Sequence, residues 1–257
     1  MKNTGASISQ RLIRKGALVE DTYNLFSHWQ DDLSFNDNFS RSFHGGFRSE
    51  GWKKEIQTTL HRRFRDLTDT HPLIVLARKG YPLSDWKYCL HFWVAVHESL
   101  YGLFLEKFLY PEYQSGRLVL RTADALQYVL AAWKSINRES VALSEYGAIR
   151  TARDLLRMAR DFGILVGDGP EKKFASLHFS DDLILYFCHV IAREEGSTSK
   201  IVASNRWKFL LLDQDQVHAH LLRLHQYRKL DYQIAGSIVQ LTLPYATASD
   251  YAERMAA

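Results

Sequence analysis

The sequence predicts a mainly α fold, a helical bundle in which one helix is followed by a small β-hairpin. Apolar residues recur at three- and four-residue steps behind Ser, Thr or Pro starts through most of the chain. No alternating strand pattern occurs before residue 163. With 257 residues, 46% of them hydrophobic, the chain can bury a core as one large domain or two small ones.

Ser9 is placed to cap a first helix, in which Leu12, Ala17, Leu18, Leu25 and Phe26 form one apolar stripe ending near Trp29. Residues from Asp31 to Gly46, rich in Asp, Asn and Gly, read as a long polar loop. Ser49 opens a second helix with Trp52, Ile56, Leu60 and Phe64 at four-residue steps. Thr70 and Pro72 start a short helix that Gly80 closes, and Ser84 starts a long apolar one that Pro111 stops. Lys87, His91, His97, Glu98, Glu106 and Lys107 interrupt this most apolar stretch, whereas a membrane span wants about 18 or more nearly uncharged residues. It therefore reads as a buried core helix.

Thr122 caps a helix carrying Ala125, Leu126, Val129, Leu130 and Trp133. Pro, Gln, Ser and Gly between Pro111 and Gly116 suggest a boundary. The expected parts are an N-terminal helical domain (1–115), a helix-and-hairpin domain (116–196) and a C-terminal helical segment (197–257). In the middle part, Ser144 begins a helix reaching Phe162. The β-rich runs Gly163 to Val166 and Phe174 to Phe179 then flank Gly167-Asp168-Gly169-Pro170, whose residues suit a hairpin turn. Ser180 and Asp181 start a further helix that Gly196 ends, and another follows Asp213. Tyr232 to Leu243 reads equally as strand or as buried helix.

The helix from Ser144 carries two parallel lines. Ile149, Ala152, Leu156 and Ala159 share a face that a core can bury, and Arg150, Arg153, Arg157 and Arg160 repeat the same steps about 100° away. Helix, strand, tight turn and returning strand is the order of a recognition helix with a wing, a winged-helix or helix-turn-helix-like unit. Lys172 and Lys173 are expected at the hairpin tip. Such arginines reach phosphates or guanine edges, while wing lysines touch the neighbouring backbone. Asp154 and Asp161 on the same helix offer the opposite reading, a salt-bridged solvated face, and a protein-contact helix is a third.

A second basic run lies between Arg41 and Arg65. Arg41, Arg48, Lys53, Lys54, Arg62, Arg63 and Arg65 face only Glu50 and Glu55, a local excess larger than the +4 of the whole chain. Cys89 and Cys188 each sit in apolar runs and belong to no Cys-x-x-Cys pair, so buried free thiols are expected. Residues 1–16 lack the apolar stretch of a signal peptide, which points to the cytoplasm. There is no phosphate loop, nucleophile elbow or His-Glu-x-x-His motif. Glu171-Lys172-Lys173 has poor spacing for a metal-dependent nuclease. His218 and His220 diverge by about 200° on a helix, which makes converging metal ligands a poor reading.

Three segments together resemble the BrxA family of BREX bacteriophage-exclusion systems: Arg14 to Thr22, Trp52 to Phe64 with its Thr-Leu-His-Arg-Arg-Phe ending, and Ser144 through Leu165. The resemblance implies a mostly helical, non-enzymatic member of a multi-protein phage-defence system. It also implies helix-turn-helix-like units, a partial likeness to bacterial antitermination proteins and binding to double-stranded DNA. The implied partners are duplex DNA and other BREX-type proteins. Proteins of this kind have been labelled membrane proteins, a label that the interrupted Trp86 to Tyr110 stretch does not support, so no membrane is expected, nor a cofactor, metal or small-molecule substrate. A scaffold role in the defence complex and RNA binding are the alternatives. From the local pattern, the candidate nucleic-acid-binding residues are Arg150, Arg153, Arg157, Arg160, Lys172 and Lys173, with Lys53, Lys54, Arg62, Arg63 and Arg65.

Overall fold

A computed structural model describes residues 13–43, 46–47, 49–65, 67, 69–137, 143–236 and 238–256. The chain is mainly α, with two small antiparallel sheets. In order, the first half contains α1 (Val19–Ser27), α2 (Phe35–Ser42), α3 (Glu50–Arg63), α4 (His71–Arg78), α5 (Leu83–His97), α6 (Ser99–Phe104) and α7 (Tyr110–Gln114). Then come β1 (Leu120–Arg121), α8 (Thr122–Asn137), α9 (Glu145–Asp161), β2 (Leu165–Val166) and β3 (Glu171–Phe174). The chain continues through α10 (Asp181–Glu195), α11 (Gln214–Gln226), β4 (Asp231–Ala235), β5 (Ile238–Thr242) and α12 (Ala248–Met255).

Caps define many of these starts. Ser49 Oγ accepts the Trp52 N–H at 3.2 Å, Ser144 Oγ that of Gly147 at 3.1 Å and Ser180 Oγ that of Leu183 at 3.2 Å. Asp213 and Gln216 form a reciprocal capping box at 2.8 and 2.9 Å. Each such cap contributes about 1 kcal/mol. One continuous cluster of buried side chains runs through all parts of the chain, from Ile13 through Trp86 and Phe187 to Ala252.

Several elements differ from the sequence expectation. Ser9 lies outside the described residues, and the first helix is interrupted. A 3-10 turn covers Ile13–Lys15, Gly16 takes φ +79° and Leu18 φ +53°, and α1 starts only at Val19. The expected polar loop contains α2, capped by Ser34. Phe35, Phe39 and Phe43 are four residues apart and pack in sequence, with ring centroids 6.4 and 4.6 Å apart. That aromatic spacing outweighs the Asn and Asp content.

The long apolar helix is broken at Glu98 into α5 and α6, and it passes Pro111 rather than stopping there. A π turn at Leu105–Leu109 runs directly into α7, so Pro111 lies just past a widened turn of a continuous helix. At the break, Gly102 approaches α5 so closely that a Cβ on it would lie 2.2 Å from the Ala95 carbonyl oxygen. No helix among the described residues is long and apolar enough to cross a membrane.

The hairpin after α9 is real, but its second strand is Glu171–Phe174, with Leu165 opposite Phe174 and Val166 opposite Lys173. Lys172 and Lys173 therefore lie on β3 and not at the tip. The unanticipated β1 pairs with the other edge of β3, Leu120 opposite Lys172, so the sheet order is β1-β3-β2. Tyr232 to Leu243 belongs to a second hairpin, with Tyr232 opposite Leu241. It is tied to α11 because Tyr232 N–H donates to His225 Nδ1 at 3.2 Å and the Tyr232 hydroxyl meets His218 Nδ1. Both cysteines are buried free thiols, and burial raises their pKa values.

Two predictions follow from α5 and its break. Gly102→Ala forces a methyl group against backbone, so it should cost about 1–3 kcal/mol, read as a drop in urea midpoint. His91 is fully buried, donating from Nε2 to the Phe209 carbonyl at 2.8 Å and accepting from the Tyr101 hydroxyl at 3.2 Å. Burial pulls its pKa down from 6.5 to about 4. The unfolded chain takes up this proton first, so the contribution is whole above pH 6.5 and is lost as pH falls towards 4, by about 3 kcal/mol. Denaturation series at pH 7 and 4 should show this loss, and His91→Gln should reduce it; an equal loss in the variant would refute the assignment.

Candidate nucleic-acid interface

α9 packs against α8 on one side and the Ile13–Lys15 turn on another. Its buried stripe is consequently wider than the sequence line suggests, taking in Ala148, Thr151, Asp154, Leu155 and Met158 besides Ala152, Leu156 and Ala159. The four arginines stand at the border of this stripe and differ in their surroundings. Arg150 is exposed, with Nε 3.8 Å from Asp154 Oδ2. Arg153 is exposed and has no ion-pair partner among the described residues. Arg157 is half-buried, its Nε 3.8 Å from Asp161 Oδ2. Arg160 reaches Asp161 at 2.9 Å and Asp168 at 3.5 Å.

The N-terminal half of α9 is thus its open half. Tyr146, 72% exposed, Arg150 and Arg153 form an outward row at helical spacing. Asp154 lies beneath this row, 7% exposed, with Oδ2 lacking a hydrogen-bond partner among the described residues. Burial raises its carboxyl pKa, although the charges of Arg157, Arg150, Arg14 and Arg153 oppose the shift. In the hairpin, Lys173 points outward, whereas Lys172 is buried with Nζ donating to the Gly169 carbonyl. Lys172 therefore closes the hairpin turn and is not presented to a partner.

The second basic run divides in the same way. Lys54, Arg62 and Arg65 are exposed and Lys53 is half-buried, with no ion-pair partner for any of them among the described residues. Arg41 is exposed as well, and Arg48 lies outside the described residues. Arg63 turns inward. Its Nε donates to Glu98 Oε1 at 2.7 Å, Nη1 to the Ala17 carbonyl at 2.6 Å and Nη2 to the Gly16 carbonyl at 3.2 Å. The two side chains of the pair are 0% and 5% exposed, so Arg63 is a structural cation with no access to a ligand.

Arg14 and Lys15 were not singled out by the sequence pattern, because they fall inside what reads as an ordinary amphipathic helix. The only sequence signal was Gly16 immediately after them. With the helix interrupted there, both cations face α3. No group of three or more His, Cys, Asp or Glu residues among the described ones could hold a metal ion. The chemistry on offer at this surface is anion binding by guanidinium and ammonium groups.

Comparison of the chain with protein-family models, with curated proteins and with solved structures finds no match.

Arg63→Met leaves the Glu98 carboxylate buried without its cation, and should cost about 3–5 kcal/mol in chemical denaturation. Adding Glu98→Leu removes the stranded charge, so the double variant should recover part of that loss. If the double variant were as unstable as the sum of the singles, the pair would not be acting as a unit.

Proposed function

We propose that this protein is a non-enzymatic double-stranded-DNA-binding protein that contacts DNA mainly through phosphates. Its setting is the one implied by the resemblance to the BrxA family, an accessory role beside other proteins of a bacteriophage-exclusion system in the cytoplasm. The observation that carries the reading is the arrangement around α9. A strand, two helices and a hairpin follow one another, the hairpin's returning strand pairs with β1, and an outward arginine row lies on the second helix. This is the element order of a winged-helix unit, with α9 as the helix that approaches the groove and Lys173 on the wing.

Arg150 and Arg153 are the principal contacts in this reading because both are exposed, although Arg150 stands 3.8 Å from Asp154; Arg157 and Arg160 contribute less because they are half-buried beside Asp161. Tyr146 supplies an amphipathic ring beside the phosphates. Sequence preference is weak, since guanidinium contacts to the backbone carry no base information.

The same carboxylate pairing favours a second reading, a scaffold that presents α9 to another protein of the defence complex. A co-purified complex that survives nuclease treatment, together with a pure protein that ignores DNA, would select it.

Duplex DNA should bind at low salt and lose affinity steeply as salt rises. Arg150→Glu with Arg153→Glu should weaken binding at least about tenfold, with an unchanged circular-dichroism spectrum. Duplex binding that ignores this double reversal would refute α9 as the contact. RNA outcompeting duplex DNA of equal length would move the assignment to RNA.

A further inference from the structure

We infer that a cleft between the Ile13–Lys15 turn and α3 is a second seat for the same duplex, so that the phosphate track runs from α9 across the turn onto α3. This rests on the DNA reading above and extends it to a surface away from the winged-helix unit.

The cleft has a volume of about 600 Å³. Arg14, Lys15, Lys54 and Arg62 line it against a single acid, Glu55. That acid is already engaged, because Lys15 Nζ pairs with it while lying 5.2 Å over the ring of Trp52. Lys54 and Arg62 are thereby left as exposed cations with no carboxylate partner among the described residues. They stand eight positions apart on one helix face, so their backbone positions are separated by about 12 Å along the axis. An extended phosphodiester backbone running along this face engages both.

The lining also says how the ligand is read. Thr58, between the two cations, donates its hydroxyl proton to the Lys54 carbonyl at 2.7 Å and Thr59 does the same to Glu55 at 2.8 Å. Neither hydroxyl proton remains to donate to a ligand, so the cations carry the recognition.

Continuity with α9 comes from the turn itself. It packs on α9, and the charge of Arg14 acts on the carboxyl of Asp154 beneath the Arg150–Arg153 row. A Cβ on the adjoining Gly16 would lie 2.6 Å from Arg157 Nη2. One basic element therefore touches both helices, and a polyanion leaving α9 meets Arg14 before it reaches α3.

The test is a salt titration of full-length protein on a fluorescent DNA duplex, comparing wild type, Lys54→Ala/Arg62→Ala and Arg150→Ala/Arg153→Ala. Removing two phosphate contacts from the cleft should lower low-salt affinity about tenfold and make the plot of log K against log salt less steep by about two. Lys54→Gln/Arg62→Gln, which keeps the helix-forming side-chain stems, should repeat the effect with an unchanged melting temperature. If both cleft variants keep wild-type affinity and slope while the α9 variant loses them, the second seat is overturned and the DNA reading stands. If wild type fails to bind duplex at low salt, the DNA reading falls and the second seat with it.

Discussion

The backbone at Gly16 and Ala17 is held from both sides by charged side chains, one buried and one partly buried. Arg63 of α3 donates to both carbonyls, and Asp161 of α9 accepts the Ala17 N–H at 3.3 Å. Arg63 is in turn fixed by Glu98 at the break between α5 and α6. Four separate parts of the chain are joined at this one point. Because an unpaired buried charge is far more costly than a paired one, neither Arg63 nor Glu98 can leave alone. The interruption of the first helix, the left-handed Gly16 and the break at Glu98 all meet at this clamp.

This clamp also determines which cations are offered to a ligand. Asp161 serves the Ala17 N–H, Arg157 and Arg160 together, which ties the C-terminal half of α9 to the turn. The N-terminal half is left outward with Arg150, Arg153 and Tyr146. In α3, neighbouring arginines have opposite fates, Arg62 exposed and Arg63 buried, because adjacent helical positions point about 100° apart. A basic run in sequence is therefore a mixture of structural and presented charge. Lys172 and Lys173 divide in the same way, with strand alternation as the cause.

Much of the fold was legible from local signals. The starts at Ser49, Ser144, Ser180 and Asp213 were readable because a cap acts on backbone N–H groups two or three residues away. The ends at Gly80 and Gly196 were readable for the same local reason. The helix α2 was hidden because its Asn and Asp residues suggest a loop, although Phe35, Phe39 and Phe43 already had helical spacing. β1 was illegible, since a two-residue strand has no periodicity and exists only through its pairing with β3.

By itself, the sequence determined that the chain is mainly helical, that a helix bearing an arginine line precedes a hairpin, and that basic residues concentrate near α3. These depend on propensity, capping and periodicity, which act over a few residues. Tertiary structure alone decided that Arg63 is internal, that Arg153 stands unpaired by any described carboxylate, and that Arg14 and Lys15 face α3. Such outcomes depend on which distant carboxylate or carbonyl meets each cation, as Glu98 does Arg63 across 35 positions. Desolvation makes those meetings decisive, and no local pattern encodes them.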